Sequence, residues 1–233
     1  MNNMTRDVLK YLNNINVDTR FISLMDKIVY INNLRFSKFS KRKEEVFLNK
    51  YPDFKVVRSK IFQKICSRAS KVLVKNIKPH ENIFILNKST CLDYAVLTVL
   101  EPYQRKYDIK LFVEDSFDKI DNQKIDATAS NLTLDDEVET ILNRILNGKE
   151  VDLLSSKDYY DSNEGNKIKI IYPLLNVPRK WIYSWLDLEK DELVSMDDDL
   201  AKSLLDFLEK YVPDVRENIY KSTVFISKNK VKK

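Results

Sequence analysis

The alternation of apolar and polar positions is clearest near the middle of the chain. Residues 82–86 (NIFIL) form an apolar run of strand length, and four apolar residues beyond a polar turn recur at helical spacing: Ala95, Val96, Val99 and Leu100. This pattern predicts a strand, a loop and a helix. In a parallel α/β sheet, such a junction directs backbone N–H groups and the positive helix end at a ligand above the strand, often a phosphate.

Later segments repeat the same two patterns. Residues 108–115 and 167–172 predict two more strands. An apolar stripe over residues 133–148 predicts a capped helix that ends at a glycine, and residues 195–211 predict another capped amphipathic helix. With the central unit, these elements predict an α/β fold in which a parallel sheet is flanked by helices.

The beginning of the chain shows helical spacing and little turn chemistry. Segments such as VLKYLNNI and FISLMDKIVYINNL place apolar residues three or four positions apart. We therefore predict a helical N-terminal extension over residues 1–57. The α/β domain is predicted over residues 58–222, followed by a basic tail over residues 223–233.

Charge is distributed unevenly along the 233 residues, whose net charge is +5. The first 80 residues contain 18 Lys or Arg against 6 Asp or Glu, a net charge of +12. Because like charges three or four positions apart repel on a helix, an unmixed row of cations indicates an anionic partner. The alternative is an ordinary solvated face in a Lys-rich chain. The row, called the basic stripe below, consists of Lys60, Lys64, Arg68, Lys71, Lys75 and Lys78.

A second basic segment interleaves cations with aromatic residues. It spans residues 35–43 and ends in three consecutive cations, Lys41, Arg42 and Lys43. Such interleaving suits contact with phosphates and stacking on bases. It is equally typical of a solvated helix face. With the basic stripe, the segment predicts a tRNA-binding surface.

Several classes of protein and site are excluded by composition. No apolar run approaches the ~20 residues that a membrane helix needs, and the N-terminus lacks the pattern of a secretory signal, so we predict a soluble, cytoplasmic protein. Two cysteines, Cys66 and Cys91, with one histidine, His80, are too few for a four-ligand zinc site. We expect no metal. Trp181 and Trp185 lie one helical turn apart and predict packing in the core or at a subunit interface.

Three stretches, in this order and spacing, carry a resemblance to a known family. They are residues 79–100 (PHENIFILNKSTCLDYAVLTVL), residues 126–148 (DATASNLTLDDEVETILNRILNG) and residues 170–185 (IIYPLLNVPRKWIYSW). They resemble the PP-loop ATP pyrophosphatases, in particular the tRNA 2-thiolation proteins. Residues 208–222 (LEKYVPDVRENIYKS) are similar to the tail of the noncatalytic second subunit of the eukaryotic-type thiolation complex.

The resemblance implies an adenine nucleotide alpha hydrolase-like fold. It also implies chemistry in which ATP adenylates a tRNA uridine and a sulfur nucleophile then displaces AMP. The family's nucleotide loop and acidic pair correspond to Lys88, Ser89, Thr90, Asp93, Asp135 and Asp136. For Asp135 and Asp136 there is an alternative interpretation, because the helix dipole alone favours acidic residues in a first helical turn.

The chain departs from the family at the loop. Phosphate-cradling loops need a backbone at positive φ or in close approach to the ligand, and a Cβ obstructs both. Only two glycines, Gly148 and Gly165, occur in the chain, and Leu92 stands at the family's Asp position. The family's usual cysteine pairs are absent, and residues 116–125 are too short for a further strand and helix. We therefore predict a vestigial loop and assign no catalytic residue.

The resemblance and its departures lead to one expected function and two alternatives. We expect a noncatalytic subunit of a tRNA wobble-uridine 2-thiolation complex, a pseudoenzyme without a cofactor. It would bind tRNA, form a heterodimer with a catalytic PP-loop subunit and reach a ubiquitin-like sulfur carrier through that partner. The first alternative is a divergent sulfurtransferase that uses ATP and Mg²⁺. The second is a basic RNA-binding scaffold that kept only the fold.

Overall fold

The structure, a computed structural model, describes residues 3–116, 125–161, 167–187 and 200–230. The helices are α1 (Asn3–Asn14), α2 (Leu34–Ser37), α3 (Lys41–Lys50), α4 (Lys60–Asn76), α5 (Cys91–Leu100), α6 (Tyr103–Tyr107), α7 (Leu134–Leu146), α8 (Arg179–Leu186), α9 (Leu200–Glu209) and α10 (Val215–Lys230). The strands are β1 (Ile22–Met25), β2 (Ile28–Ile31), β3 (Lys55–Val57), β4 (Asn82–Leu86), β5 (Lys110–Glu114), β6 (Ala127–Ala129), β7 (Tyr159–Asp161) and β8 (Lys167–Ile171). Helices and strands are interspersed along the chain up to α8, and the described elements after α8 are helices.

The larger sheet has five strands in the order β5-β4-β6-β8-β7. β4 is an interior strand that pairs in parallel with β5 and β6, so that Ile83 pairs with Leu111 on one side and with Ala127 on the other. β6 pairs in parallel with β8, and only β7 runs antiparallel, at the edge. The prediction of an α/β fold with a parallel sheet flanked by helices is confirmed.

The core divides at this sheet because successive side chains of a strand point to opposite faces. Ile83 and Ile85 belong to the main core, which also includes buried residues of α4, α5 and α8. Phe84 faces the other way and packs with Ile125 and Ile168. The carboxyl end of β4 is therefore held from both sides, which fixes the position of the loop that follows it.

The helical prediction for residues 1–57 is wrong in part. α1, α2 and α3 are helices, but the segment FISLMDKIVYINNL contains the antiparallel hairpin of β1 and β2, and β3 adds a parallel strand to it. Asp26 opens the two-residue turn with φ at 51°. Both strands are almost entirely buried, so their apolar residues run together without the alternation by which a half-buried strand is recognised.

The N-terminal region has its own core and is attached to the α/β region through a buried ion pair. Arg105 pairs with Glu101, with Nη2 2.7 Å from Oε2, and both side chains are largely buried. Arg105 also donates to the carbonyl oxygens of Thr19 and Ile22, both at 2.9 Å. Glu101 accepts from the Leu24 backbone N–H at 3.1 Å. These bonds satisfy both charges and connect the hairpin to α5 and α6. The domain boundary at residues 57 and 58 stays a prediction.

Trp185 joins the two regions by packing. Its ring stacks on Phe62 with the centroids 4.5 Å apart and meets Tyr30 edge-on at 5.2 Å. Only 8% of the residue is exposed. Packing in the core, the first of the two roles predicted for the tryptophans, therefore holds for Trp185, which is too buried to anchor a partner.

The C-terminal segments differ from prediction mainly in their bounds. The helix predicted over residues 195–211 corresponds to α9, and residues 195–199 lie outside the described residues. The predicted basic tail is helical up to residue 230 as part of α10, and residues 231–233 are not described. The short connection predicted over residues 116–125 falls mostly in the undescribed range 117–124. Among the described helices, none has both the length and the apolar character needed to cross a membrane.

Candidate functional site

The loop between β4 and α5 lies at the carboxyl edge of the sheet, where the sequence predicts it. Thr90 caps α5, and its Oγ1 accepts from the Asp93 backbone N–H at 3.2 Å. Asp93 completes a reciprocal capping box by accepting from the Thr90 backbone N–H. The strand, the loop and the helix thus form the unit expected of a phosphate-binding junction.

Within this loop, three consecutive backbone N–H groups are each bonded to a side-chain oxygen of the chain itself. Lys88 N and Thr90 N donate to Asp93 Oδ2 at 3.1 and 3.2 Å. Ser89 N donates to Asn87 Oδ1 at 2.9 Å. Ser89 has φ at 60°, a left-handed conformation that costs a non-glycine residue about 1–2 kcal/mol. The loop therefore keeps the backbone turn of an anion nest without a glycine, and its N–H groups already have acceptors.

The Asp93 carboxylate is the anion that occupies this nest. It is 4% exposed and also accepts from Thr90 Oγ1 at 2.7 Å. Asn131, which follows β6, donates to its other oxygen at 2.8 Å. A carboxylate so held both uses the donors that a pyrophosphate would need and repels a second anion. As they lie, these residues do not fit the phosphates of ATP.

Sequence reasoning missed Asn131. The signal was present, because Asn131 lies in the stretch that resembles the family's Ala-Thr-Gly-His-Asn segment. Its function here depends on a contact across 38 positions of the chain, between the end of β6 and the loop. That contact joins the first two resembling stretches into one site.

A cleft of about 500 Å³ opens above the carboxyl ends of the central strands. Phe84 and Tyr172 contribute apolar wall, while Lys88, Asp93 and Asp115 contribute charge. The charged lining is mostly acidic. The cleft is thus roomy enough for a small molecule, but its electrostatics disfavour a polyanion.

Asp135 and Asp136, the predicted acidic pair, lie outside the lining of this cleft. Asp136 forms a second capping box with Thr133 and an ion pair with Arg179. Asp135 accepts from the Arg179 backbone N–H at 2.6 Å and is largely buried. Both carboxylates therefore attach the start of α8 to the start of α7. The position of Asp136 at the start of α7 agrees with the alternative that the helix dipole favours acidic residues in the first turn. Asp135 bonds to the start of α8, a role that neither the nucleotide-site prediction nor the dipole alternative included.

Arg216 extends this acidic cluster into a buried network. Its side chain is 6% exposed and lies 3.2 Å from Asp135 and 3.5 Å from Glu139, both on α7. It also pairs with Asp206 at 2.8 Å and with Glu209 at 3.1 Å on α9. Burial raises the pKa of Glu139 despite the nearby cations. The stretch that resembles a thiolation-subunit tail thus holds α7, α9 and α10 together.

Neither cysteine is prepared for nucleophilic chemistry. Burial raises the pKa of the Cys66 thiol on α4, and it also raises the pKa of Cys91 at the start of α5. A raised pKa keeps both as thiols at neutral pH, whereas sulfur transfer and metal binding need the thiolate. Within the described ranges, no group of three or more His, Cys, Asp or Glu side chains is arranged to hold a metal ion.

The basic stripe lies along α4, and the structure separates Arg68 from its other members. Arg68 Nη1 pairs with Glu217 on α10 at 2.7 Å and donates to the Asn176 carbonyl at 3.1 Å. Its guanidinium also lies over the Trp181 ring at 4.2 Å. Arg68 therefore connects α4 to α8 and α10. The five exposed members are Lys60, Lys64, Lys71, Lys75 and Lys78.

The second basic segment, residues 35–43, also contains both a cation with structural contacts and cations that are exposed. Lys43 donates to the carbonyl oxygens of Asn16 and Lys38 at 2.6 and 2.9 Å, which closes the ends of α1 and α2. Lys41 and Arg42 are exposed in the first turn of α3. The described contacts give Lys43 a structural role and leave Lys41 and Arg42 accessible to a ligand. RNA binding by both basic segments stays a prediction.

The fold and site define an α/β protein with a loop-to-helix junction at the carboxyl edge of its parallel sheet, after an interior strand. No family model matches the chain, and no curated protein matches it. Among solved structures, the chain is similar to the U34-tRNA thiolase NcsA from Methanococcus maripaludis with its 4Fe-4S cluster. The identity is 13% and the TM-score 0.47, and the match covers 76% of this chain and 82% of that chain. A likeness this weak supports no inference about activity.

Proposed function

We propose that the chain is a noncatalytic subunit of a tRNA wobble-uridine 2-thiolation complex. In this role it binds tRNA and supports a catalytic PP-loop partner in a cytoplasmic heterodimer, through which it meets a ubiquitin-like sulfur carrier. The observation that carries the proposal is the Asp93 carboxylate, which accepts from the loop N–H groups of Lys88 and Thr90. The resemblance of the three stretches supports a relationship to the PP-loop superfamily. The loop, whose N–H groups already have side-chain acceptors, supports the loss of catalysis.

The loop chemistry explains why such a subunit would not adenylate tRNA by itself. Adenylation needs preorganised donors for the pyrophosphate leaving group, because that is where negative charge develops. Here the donors at positions 88–90 are bonded within the loop, and Asp93 places negative charge among them. Sulfur delivery needs a thiolate, and burial keeps Cys66 and Cys91 protonated. The partner would supply both functions.

Binding of tRNA is supported by the exposed part of the basic stripe. Five exposed lysines follow one side of α4 and the residues just after it, and none of them shares the Glu217 ion pair or the Asn176 hydrogen bond of Arg68. Lys64 lies 5.7 Å from the centroid of the Trp181 ring. No acidic residue occurs between residues 54 and 80, so α4 itself contributes no competing charge. Phosphate contacts of this kind position an RNA without reading its sequence. Base recognition would therefore fall to the catalytic partner.

A second candidate is a divergent adenylating and thiolating enzyme that uses ATP and Mg²⁺. The observation in its favour is the cleft of about 500 Å³ at the carboxyl edge of the sheet, with Lys88 in its lining. A third candidate, the RNA-binding scaffold, is favoured by the exposed stripe alone. Co-purification with a cysteine-rich PP-loop subunit separates the proposal from the scaffold.

The test of the proposal is reconstituted tRNA thiolation with the catalytic partner. The variant combines Lys88→Ala with Ser89→Ala and leaves the structural residues Thr90 and Asp93 in place. We expect complex assembly and thiolation to stay within about twofold of wild type. A loss beyond ~100-fold with intact assembly corresponds to ~2.7 kcal/mol of barrier and would support the enzyme instead. The same loop substitutions in the partner serve as the positive control and should abolish thiolation.

A further inference from the structure

A second, smaller cavity lies between the N-terminal region and the α/β region. Its volume is about 140 Å³, and it is lined from three directions. Asn33 approaches from the segment after β2, Ser67 and Ser70 approach from α4, and Tyr103 and Lys106 approach from α6. The lining is about equally polar and apolar and contains no carboxylate.

Lys106 supplies the positive charge of this cavity. Its ammonium lies 4.6 Å from the ring centroid of Tyr103 and 4.9 Å from that of Phe21. Within the described parts of the chain, it forms no ion pair and donates no hydrogen bond to a side chain or carbonyl. Asp18, whose charge acts on it from farther away, is paired with Arg20 at 2.8 Å. Burial lowers the pKa of Lys106, so the cation is held in a partly desolvated place without a counterion.

Two further donor residues line the same cavity as this cation. The Asn33 Oδ1 atom accepts from the Phe36 backbone N–H at 3.0 Å, which fixes the amide orientation. Its Nδ2 group donates to no described residue, and Asn33 is one of the residues that line the cavity. The Ser67 hydroxyl also makes no described hydrogen bond. An ammonium, an amide N–H and a hydroxyl together match the acceptor oxygens of a tetrahedral oxyanion.

We propose that this cavity binds a single phosphate group, held by Lys106 with Asn33 and Ser67. Free inorganic phosphate and a phosphate of bound RNA present the same oxygens. The second source is plausible on geometric grounds, because Ser67 lies on α4 between Lys64 and Lys71, beside the basic stripe. Only that second source rests on the proposed function; the phosphate site itself does not.

The test is isothermal titration of the full chain with inorganic phosphate, at constant ionic strength maintained with chloride. We expect one saturable site. Lys106→Met keeps the aliphatic stem against the two rings and should weaken binding by at least about tenfold. Lys110→Met removes the same charge from an exposed position outside both basic segments and should stay within about twofold. Ser67→Ala, an exposed change that folding tolerates, should weaken binding severalfold and serves if Lys106→Met fails to fold.

Two results would overturn the site. One is the absence of binding heat above the chloride control, and the other is equal phosphate affinity in Lys106→Met and Lys110→Met. A separate titration with tRNA distinguishes the source. If phosphate competes with tRNA and Lys106→Met weakens tRNA binding more than Lys110→Met does, the site takes an RNA phosphate. If neither occurs while phosphate still binds, the ligand is free phosphate, and the site stands even if tRNA binding fails.

Discussion

Replacing Lys64, Lys71 and Lys75 together by Gln should weaken tRNA binding and make it less sensitive to salt. These three residues are exposed members of the basic stripe on α4. Arg68, although it belongs to the same stripe, is left unchanged because it pairs with Glu217 and stacks on Trp181. Its replacement would disturb the packing of α4 and confuse lost binding with lost structure.

The magnitude follows from the five exposed lysines of the stripe. If each neutralises one phosphate of duplex-like RNA, the slope of log K against log salt is about −4.5, and removal of three leaves about −1.8. Between 50 and 200 mM salt, the wild-type affinity would fall roughly 500-fold and that of the variant roughly 12-fold. All tRNAs should be affected alike, because phosphate contacts carry no sequence information.

The assay is fluorescence anisotropy of labelled tRNA with the assembled complex at several salt concentrations. The matched control replaces three exposed lysines outside the stripe, Lys110, Lys157 and Lys228, by Gln, which changes the net charge equally. We expect this control to keep the wild-type slope. Equal slopes for the two triple variants would refute the reasoning, since position would then not matter and the stripe would be a solvated face.

Three further predictions concern stability. Arg216→Met should lower the free energy of unfolding, measured in urea, by about 3–5 kcal/mol, because it leaves buried carboxylates unpaired. The control Arg144→Met breaks an exposed ion pair and should lower it by less than about 1 kcal/mol. Burial raises the pKa of Glu137 in the folded protein above its unfolded value. The protonated side chain therefore stabilises the fold below the unfolded pKa, and this contribution is lost as the pH rises through the folded pKa. The stability of wild type relative to Glu137→Gln, measured by urea unfolding, should therefore fall as the pH rises above the ordinary Glu pKa of about 4.3, and a flat difference would contradict the shift. Trp185→Ala should cost about 3–5 kcal/mol while partner affinity is unchanged, and the reverse result would make Trp185 an interface residue.

Local signals were sufficient to predict the central units of the fold. The strand and helix on either side of the loop follow from an apolar run and from apolar residues at helical spacing, and α7 follows from a Thr133 cap and an apolar stripe. Both are short-range patterns. The hairpin of β1 and β2 was missed because its strands are buried on both faces and turn at Asp26 without a glycine. Periodicity alone does not distinguish such runs from a buried helix.

The candidate site depends more heavily on contacts between distant parts of the chain. The filling of the loop by Asp93 involves Asn131, which is 38 positions away. The removal of Arg68 from the available stripe requires Glu217, 149 positions away. Residue spacing placed the cations on one helix face, but it contains no information about which of them a later helix would engage.

Isothermal titration of the purified chain with ATP and Mg²⁺ tests the central claim most directly, because the claim is that Asp93 already occupies the loop donors. A catalytic PP-loop subunit, titrated under the same conditions, provides the positive control. The account predicts no saturable heat from this chain at nucleotide concentrations of about 1 mM, which corresponds to a binding free energy weaker than about −4 kcal/mol. Saturable, Mg²⁺-dependent binding with a Kd of about 10 μM would contradict it, and Lys88→Ala would then be expected to weaken that binding.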